Sequence, residues 1–248
     1  MTKADLCADF RELHRSGAPL ILANIWDAGS AKAVMESGAK ALATSSWAVA
    51  AAHGYADGEN APLELVIANL ERIAAATHLP LTVDFESGYG ETVRELETSF
   101  GKLLATGVVG CNLEDGLLGG SGVRAVQDQV SRIELAREAA NSATPGFFIN
   151  ARTDLFLQNP MDQHASEAIV AEAIKRARAY RLAGADGFFV PGLKNLSVLR
   201  MLVETANLPI NVMAGEEALD AYAQAGVARI SFGPLTYFKA MAAVGGFA

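Results

Sequence analysis

The amino-acid sequence predicts a (β/α)8 barrel that residues 1–248 form as a single domain. Short apolar runs alternate with longer stretches that have a polar face, and this alternation repeats eight times without an intervening linker. The composition is also suitable, because 248 residues of which 51% are apolar can build one large core. Barrels of this length commonly form one domain.

The apolar runs are the predicted strands of this barrel. They are apolar nearly throughout, as expected of strands buried on both faces of a sheet. Polar residues end almost every run, which favours a barrel over a doubly wound open sheet, since an open sheet concentrates such residues at its switch point. The predicted strands are Leu20–Asn24, Ala41–Ser45, Leu81–Glu86, Gly110–Glu114, Phe147–Arg152, Gly187–Val190, Ile210–Met213 and Arg229–Phe232.

Helices are predicted between these strands, and several of them end in the same way. A glycine occupies the expected position after the helix C-terminus and the next apolar run follows directly. These glycines are Gly38, Gly107, Gly184 and Gly226. The clearest predicted helices are Pro62–Thr77, Thr92–Ala105, Ala125–Ala140, Ser166–Ala183 and Glu216–Ala225, with a final one over Leu235–Val244.

The overall charge and the cysteine content exclude some partners and favour one compartment. A net charge of −8 argues against nucleic acid or an anionic membrane as partner, because phosphate binding requires a basic surface. Cys7 and Cys111 are the only cysteines, and this usage fits a reducing compartment. The N-terminus has no apolar signal core, and no segment has about 18 uninterrupted apolar residues. We therefore expect a cytoplasmic protein.

Acidic side chains are concentrated at the ends of the third and fourth predicted strands. Asp84 and Glu86 end the third strand, where their spacing of two predicts that they share a face, and Glu114 ends the fourth. Hard cations such as Mg²⁺ prefer oxygen ligands and retain several waters. No histidine or cysteine joins the set, which argues against zinc. The alternative is that these acids only cap the helices that follow.

Two further strand ends carry polar groups that suit an acidic substrate. Arg152, at the end of the fifth strand, can bind a carboxylate through two parallel hydrogen bonds. An ion pair with Glu114 or Asp154 is the alternative for Arg152, and both interactions can occur together. The backbone N–H groups of Ser45–Trp47, after the second strand, suit an oxyanion or a carboxylate.

A glycine-rich segment follows the fourth predicted strand, at Leu118–Gly122. Glycine hinges favour a loop that closes over a site, so a mobile flap is one interpretation. A phosphate-binding loop is the other, although the segment has no lysine and lacks the pattern G-x-x-x-x-G-K.

Taken together, these motifs resemble the isocitrate lyase / phosphoenolpyruvate mutase superfamily over nearly the whole chain. The matching segments are Trp26–Ala28, Thr44–Ser46, Gly54–Asp57, Asp84–Gly90, Asn112–Asp115 and Asn150–Asp154. The resemblance implies a barrel that binds Mg²⁺, or Mn²⁺, and acts on small 2-oxo or 2-hydroxy acids. Members of this superfamily make or break a C–C or P–C bond next to a carbonyl group. The resemblance also implies a homo-oligomer, in which a C-terminal helix is often exchanged between subunits. This chain ends soon after its last predicted helix, Leu235–Val244, begins, so we expect this exchange to be lost or altered.

The resemblance also implies roles for individual residues. Asp84 is expected to ligate the metal directly, while Glu86 and Glu114 act largely through water. Asp57 is expected to support the metal site, and Arg152 is expected to bind the substrate. The expected catalytic residues are Asp57, Glu114 and Arg152. The remaining expected substrate contacts are Trp26, Ser45, Ser46, Trp47 and Asp84.

Three segments depart from the superfamily pattern. The usual D-x-D is Asp84-Phe85-Glu86, and Leu118–Arg124 lacks the cysteine and histidine of the lyases. Val190–Gly192 lacks the histidine and serine of the mutases. The leading interpretation is a Mg²⁺-dependent enzyme that cleaves a C–C bond, as a lyase or decarboxylase, through a metal-stabilised enolate. The alternatives are P–C chemistry, of the mutase or phosphonopyruvate hydrolase type, and a metal-dependent oxo-acid binder without catalysis.

Overall fold

The strands form one parallel sheet that closes into a barrel, as the sequence predicts. The computed structural model describes residues 2–215 and 219–246. Within these ranges the sheet has nine strand segments in the order β1-β9-β8-β7-β6-β5-β4-β3-β2. They are β1 (Leu20–Leu22), β2 (Asn24–Ile25), β3 (Leu42–Thr44), β4 (Leu81–Asp84), β5 (Gly110–Glu114), β6 (Phe148–Arg152), β7 (Gly187–Phe189), β8 (Ile210–Met213) and β9 (Arg229–Ser231).

The first barrel strand is divided into two segments, which the sequence did not predict. β1 and β2 are separated only by Ala23. β1 pairs with β9, with Leu20 opposite Arg229, whereas β2 pairs with β3, with Asn24 opposite Ala43. The first barrel strand therefore pairs with β9 through β1 and with β3 through β2, and these two pairings close the barrel.

Helices surround the barrel and connect consecutive strands. Residues 216–218, the start of the predicted helix Glu216–Ala225, lie outside the described residues. No helix in the described parts of the chain has the length and apolar character needed to cross a membrane. The helices are α1 (Lys3–Glu12), α2 (Ala28–Glu36), α3 (Ser46–Ala52), α4 (Leu63–Ala75), α5 (Val93–Ala105), α6 (Val126–Ala143), α7 (Glu167–Leu182), α8 (Leu196–Ala206), α9 (Leu219–Gln224) and α10 (Leu235–Gly245).

The middle of the barrel interior is polar, whereas its N-terminal end and the layer between strands and helices are apolar. Buried polar residues at the inward-facing strand positions include Asn24, Asn112, Asn150, Asn211 and Arg229. Three of the asparagines bond to one another: Asn150 Nδ2 donates to Asn112 Oδ1 at 2.9 Å and to Asn211 Oδ1 at 3.0 Å. This network satisfies amide groups that would otherwise be buried without partners.

Helix α1 closes the N-terminal end of the barrel. Phe10 is fully buried and its ring lies 5.4 Å from that of Phe148, edge to face. His14, just after this helix, stacks on Phe148 with ring centroids 4.2 Å apart. Cys7 is buried in the same cluster, and it and the buried Cys111 are both free thiols.

Helix α10 does not cover β1, the first half of the first barrel strand. None of its residues is buried, and its first turn is attached to β2, where Thr236 Oγ1 donates to the carbonyl oxygen of Asn24 at 2.5 Å. Ile21, in the middle of β1, is consequently 41% exposed, although a barrel strand normally packs against a helix. One flank of the barrel is thus left open.

The buried His14 gives the protein a specific sensitivity to acid. Burial, and then the charge of Arg229, lowers the pKa of His14 to about 3. The pKa of histidine in an unfolded chain is about 6.5. Between these pH values the unfolded chain binds a proton that the folded protein does not, so the free energy of unfolding falls as the pH drops below about 6.5. The slope from this group is at most about 1.4 kcal/mol per pH unit.

We expect His14→Phe to keep a ring against Phe148 and to flatten this part of the pH dependence. Urea unfolding of both proteins between roughly pH 4 and pH 7 measures the two slopes. Identical slopes would show that His14 is not responsible.

Candidate functional site

A cavity of about 180 Å³ lies at the C-terminal ends of the strands. This is the end of a (β/α)8 barrel at which the loops can combine side chains from many strands. The cavity is lined by Asn24, Ser45, Ser46, Trp47, Asp57, Asp84, Asn112, Arg152, Leu157, Phe189, Pro191, Met213, Ser231, Gly233 and Pro234. Most of the site residues expected from the sequence are in this set.

Both carboxylate oxygens of Asp84, the last residue of β4, accept a hydrogen bond from a neighbouring side chain. Ser46 Oγ donates to Asp84 Oδ2 at 3.0 Å, and Asn112 Nδ2 donates to Asp84 Oδ1 at 3.2 Å. The orientation of Asn112 is fixed because its Oδ1 accepts from Asn150 and, at 3.3 Å, from Arg229. Asp84 therefore presents its carboxylate to the cavity in one defined position.

Glu86 is placed differently from the sequence prediction. β4 ends at Asp84, and Glu86 has φ of 50°, in the left-handed region. The prediction that Asp84 and Glu86 share a strand face is therefore wrong, because the chain has already turned. Glu86 is buried, and its carboxylate accepts from Tyr89 Oη at 2.9 Å and from the backbone N–H of Glu59 at 2.6 Å.

The turn that carries Glu86 is held by Glu59, a residue that sequence reasoning missed. Glu59 Oε1 accepts hydrogen bonds from Ser87 Oγ at 2.7 Å and from the backbone N–H of Tyr89 at 2.9 Å. Glu59, Glu86 and Tyr89 all have left-handed φ angles, which are strained for residues with a side chain. These reciprocal bonds between the two loops offset that strain and fix Glu86 beside the cavity.

Burial and mutual repulsion shift the acids of this region towards their neutral forms. Burial, followed by the charges of Asp57 and Asp84, raises the pKa of Glu86 to about 7. Burial and the charge of Asp84 also raise the pKa of Asp57. Both effects disfavour the ionised form, so a nearby cation would be strongly favourable here.

Arg152, at the end of β6, is surrounded by carboxylates. Its Nε and Nη2 donate to the two oxygens of Asp154 at 2.6 and 3.1 Å, and Nη1 lies 2.8 Å from Glu114 Oε2 and 3.7 Å from Asp84 Oδ2. Burial alone would lower the pKa of Arg152, but Glu114 and Asp154 raise it above its usual value. The expected two-fold hydrogen bond is thus made to Asp154, and a substrate can use only the remaining N–H groups.

Glu114 and Asp115 end the same strand but face different surroundings. Glu114 Oε2 has its ion-pair partner in Arg152 but accepts no hydrogen bond, and burial raises the pKa of Glu114 well above its ordinary value. Asp115 is fully buried and accepts hydrogen bonds from Arg176 at 2.9 Å and Tyr180 at 2.7 Å. Asp115 therefore fastens α7 to the barrel, while Glu114 pairs with Arg152 directly behind the cavity.

The donor set fits a hard divalent cation that keeps part of its water shell. Among the described residues no three histidine, cysteine, aspartate or glutamate side chains are arranged to ligate one ion directly. Asp84 lines the cavity, whereas Glu86 and Glu114 lie behind it with raised pKa values. One direct carboxylate with others acting through water is the arrangement that Mg²⁺ commonly accepts. The buried oxygen of Glu114 without a hydrogen bond is consistent with this type of site.

The structure brings the other expected substrate contacts together, with one exception. Ser45, Ser46 and Trp47 line the cavity at the start of α3, and Ser45 Oγ accepts from the N–H of Ala48 at 3.4 Å. Trp26 is not part of the lining: its ring packs edge to face on Tyr237, 5.1 Å away. Trp26 thus supports the start of α10 rather than the cavity itself.

The glycine-rich segment after β5 forms a loop whose base is closed. Gly116 and Val123 form an antiparallel bridge, and the N–H of Gly122 donates to Gln158 Oε1 at 3.0 Å. Arg124 holds the end of the loop through two hydrogen bonds to Glu91. Leu117 and Leu118 are exposed, and none of residues 116–124 is part of the cavity lining.

The fold and the acid-lined cavity define a (β/α)8 barrel protein with its site at the C-terminal strand ends, and comparisons identify its family. The model of the phosphoenolpyruvate phosphomutase family matches residues 10–248. The chain therefore belongs to the phosphoenolpyruvate phosphomutase family, which lies in the isocitrate lyase / phosphoenolpyruvate mutase superfamily of lyases and mutases. The resemblance seen in the sequence is confirmed.

Individual relatives within this family have different activities. A solved structure from Burkholderia cenocepacia J2315, provisionally named a phosphonomutase, has a TM-score of 0.95 and 46% identity, covering 99% of this chain and 98% of that one. The 2-methylisocitrate lyase of Shewanella oneidensis is 31% identical over 81% of this chain and 68% of its own length. The oxaloacetate decarboxylase of Pseudomonas entomophila is 29% identical over 96% and 82%.

We expect Asp84 to be required for any response to Mg²⁺. Mg²⁺ should raise the melting temperature of the wild-type protein by mass action, and Asp84→Ala should abolish this shift. Asp9→Ala, an exposed aspartate on α1 at the other end of the barrel, is the matched control and should respond like the wild type. Calorimetric titration checks the same point directly, and an unchanged metal response of Asp84→Ala would refute the assignment of the site.

Proposed function

We propose that the protein is a Mg²⁺-dependent enzyme that cleaves a C–C bond in a small 2-oxo or 2-hydroxy carboxylic acid. The observation that carries this proposal is the cluster of Asp57, Asp84, Glu86 and Glu114 around the single guanidinium of Arg152, at the catalytic end of a barrel. The cluster has more negative than positive charge and is largely buried, so it suits a divalent cation. Mn²⁺ has the same ligand preferences and is an acceptable substitute.

In this proposal Asp84 holds the metal directly, and Glu86 and Glu114 hold its water ligands. Bound there, the metal supplies Lewis-acid chemistry, polarising the carbonyl and carboxylate oxygens of the substrate. Tyr89 and the N–H of Glu59 keep Glu86 oriented, and Ser46 and Asn112 do the same for Asp84. These residues therefore act by preorganising charges before the substrate arrives.

The protein groups around the cavity can stabilise the charge that develops during cleavage. When the bond between the third and fourth carbons of a 2-oxo acid breaks, the fourth carbon departs without the bonding electrons, as carbon dioxide when it is a carboxylate. The electron pair stays on the third carbon as an enolate, whose negative charge lies largely on the carbonyl oxygen. Arg152 Nη1 and the N-terminal N–H groups of α3, at Ser46 and Trp47, face the cavity in which this oxygen would lie. The ion pair with Asp154 holds the guanidinium of Arg152 in a fixed position at the cavity.

C–C cleavage is the leading reaction because two relatives named above, a lyase and a decarboxylase, break C–C bonds in small acids. P–C chemistry, of the phosphoenolpyruvate mutase or phosphonopyruvate hydrolase type, is the second candidate. The provisional name of the Burkholderia cenocepacia protein, at 46% identity, supports that alternative.

The reaction is tested by incubating the purified protein with Mg²⁺ and oxaloacetate, methylisocitrate, dimethylmalate or phosphonopyruvate, and following the release of pyruvate and the formation of phosphoenolpyruvate. Turnover of one of the first three acids that stops with EDTA is expected. Turnover of phosphonopyruvate alone would assign P–C chemistry instead. Binding of oxo acids with Mg²⁺ but without turnover of any acid would favour a non-catalytic binder.

Arg152→Lys should lower kcat/KM for the acid that is turned over by about 100-fold or more, because a lysine cannot keep the paired bonds to Asp154 while facing the cavity. Arg181→Lys, an exposed arginine near the end of α7, is the matched control and should leave kcat/KM unchanged. A small effect of Arg152→Lys would contradict its role at the developing charge.

We also infer that the protein forms a homo-oligomer in which α10 of one copy covers the β1 flank of another. Phe238, Met241 and Val244 are three exposed apolar side chains of α10. A groove of about 850 Å³ lies beside the exposed Ile21; its lining combines apolar residues such as Leu13 and Leu79 with charged residues such as Asp9 and Lys40. A helix and an uncovered strand face of the same chain are complementary, and exchange between copies would bury both.

We expect the wild-type protein to elute as an oligomer in size-exclusion chromatography with light scattering. Met241→Glu should shift it towards the monomer, because it places a charge among the exposed apolar side chains of α10. Met161→Glu changes a more exposed methionine outside α10 and should have no effect. A monomeric wild type would contradict the inference.

A further inference from the structure

The turn after β4, residues 86–90, places Glu86 beside the cavity in a strained backbone conformation. Glu86 and Tyr89 have left-handed φ angles of 50° and 55°, and Gly88 has φ of 103°. Residues with side chains keep such a conformation only where the surrounding contacts compensate for the strain. The position of the Glu86 carboxylate therefore depends on the groups that hold this turn.

The donor groups of the turn are bound by Glu59. Its Oε1 accepts hydrogen bonds from Ser87 Oγ at 2.7 Å and from the backbone N–H of Tyr89 at 2.9 Å. An ionised carboxylate accepts hydrogen bonds but cannot donate them, so Glu59 provides nothing for the carbonyl oxygens of the turn. Ser87 and Gly88 are buried, and their carbonyl oxygens consequently need donors from another part of the protein.

Arg132, on α6, donates to two of these carbonyl oxygens. Its Nη2 donates to the carbonyl oxygen of Ser87 and, at 2.8 Å, to that of Gly90. Between them, the carbonyl oxygen of Gly88 accepts from Ser99 Oγ of α5 at 2.5 Å. One guanidinium thus connects the beginning and the end of the turn and fastens both to α6.

Arg132 is buried without a carboxylate partner. It is 8% exposed, and no ion pair within residues 2–215 and 219–246 involves it. Both of its hydrogen bonds to the described residues go to the turn, and its Nε has no partner. Burial lowers the pKa of Arg132, because the charged guanidinium loses hydration there. The bonds to the turn are the contacts that offset this cost.

We propose that Arg132 is a positioning residue for the Mg²⁺ site, which acts by holding the turn 86–90 and so fixing the carboxylate of Glu86. This inference rests on the proposed function, in which Glu86 holds water ligands of the metal. Without the guanidinium, the carbonyl groups of Ser87 and Gly90 lose their shared donor and the strained turn can relax. Tyr89 cannot replace Arg132, because it bonds to Glu86 from within the same turn and moves with it.

Calorimetric titration with MgCl2 tests the inference on a matched pair of variants. Arg132→Met fills much of the same space but removes the donors, and it should weaken Mg²⁺ binding by about tenfold or more, as is usual for groups that orient metal ligands. Arg137→Met is the control, since Arg137 is another arginine of α6 and its side chain is only 17% exposed. Its bonds are made near the N-terminal ends of the strands, to Phe147, Gly184 and Asp186. Both variants should lower the urea midpoint, but Arg137→Met should keep the wild-type affinity for Mg²⁺.

A double-mutant cycle with Glu86→Gln tests whether Arg132 acts through Glu86. Glutamine removes the charge of this side chain but keeps an oxygen that can accept from Tyr89. Adding Arg132→Met to Glu86→Gln should weaken Mg²⁺ binding by less than about twofold, because the carboxylate that Arg132 positions is already absent. A general loss of structure would instead weaken binding by the same factor in both backgrounds.

Hydrogen exchange of the metal-free protein reports on the turn without any contribution from Mg²⁺. The backbone N–H of Glu59 donates to Glu86 Oε2, and the backbone N–H of Tyr89 donates to Glu59 Oε1. Peptides that contain these two N–H groups should exchange faster in Arg132→Met than in the wild type or in Arg137→Met. If Arg132→Met does not fold, Arg132→Lys takes its place in all three experiments. The shorter lysine keeps the charge but cannot reach both carbonyl oxygens, so the same changes are expected.

The possible results separate this inference from the proposed function. If the wild type binds Mg²⁺ and the Arg132 variant binds it equally tightly, the inference is wrong and the proposed function stands. The inference is also wrong if the loss of affinity is as large in the Glu86→Gln background, or if exchange at Glu59 and Tyr89 is unchanged. If the wild type does not bind Mg²⁺, the proposed function fails and this inference fails with it.

Discussion

The structure of the site depends on one electrostatic constraint, the burial of several carboxylates around a single guanidinium. Arg152 pairs with Asp154 and Glu114 and lies near Asp84, which leaves the region with an excess of negative charge. Burial makes that excess costly, and the raised pKa values of Glu86 and Glu114 are its direct consequence. A divalent cation bound among these acids would offset this cost.

The polar interior of the barrel keeps the acids in position. The donors Asn150 and Arg229 both point at Asn112 Oδ1, so the amide of Asn112 has only its nitrogen to offer to Asp84. Arg229 is in turn enclosed by Phe10 of α1, whose ring centroid lies 6.0 Å from its guanidinium carbon. The position of a carboxylate at one end of the barrel is thus connected, through neighbouring side chains, to the helix that closes the other end.

The residues that line the cavity come from different parts of the chain. Ser46, Asp84, Asn112 and Arg152 lie on or just after β3 to β6, whereas Phe189 and Met213 end β7 and β8.

The sequence by itself determined the barrel and most of the residues at its C-terminal end. Strand alternation and helix-ending glycines are local patterns, and an acid at the end of a parallel strand reaches the same rim whatever the details of the fold. Asp84, Ser46 and Arg152 were found in this way, Asp57 through the family resemblance, and all four line the cavity.

Only the tertiary structure decided how these residues are paired and what lies opposite them. The left-handed turn at Glu86 depends on bonds to Glu59, which is distant in sequence, and the two-fold bond of Arg152 goes to Asp154 instead of a substrate. The apolar residues of the cavity lining, such as Leu157, Phe189 and Met213, come from segments that are distant in sequence. None of these features has a local sequence signal, because each arises from contacts between segments that only the closed barrel brings together.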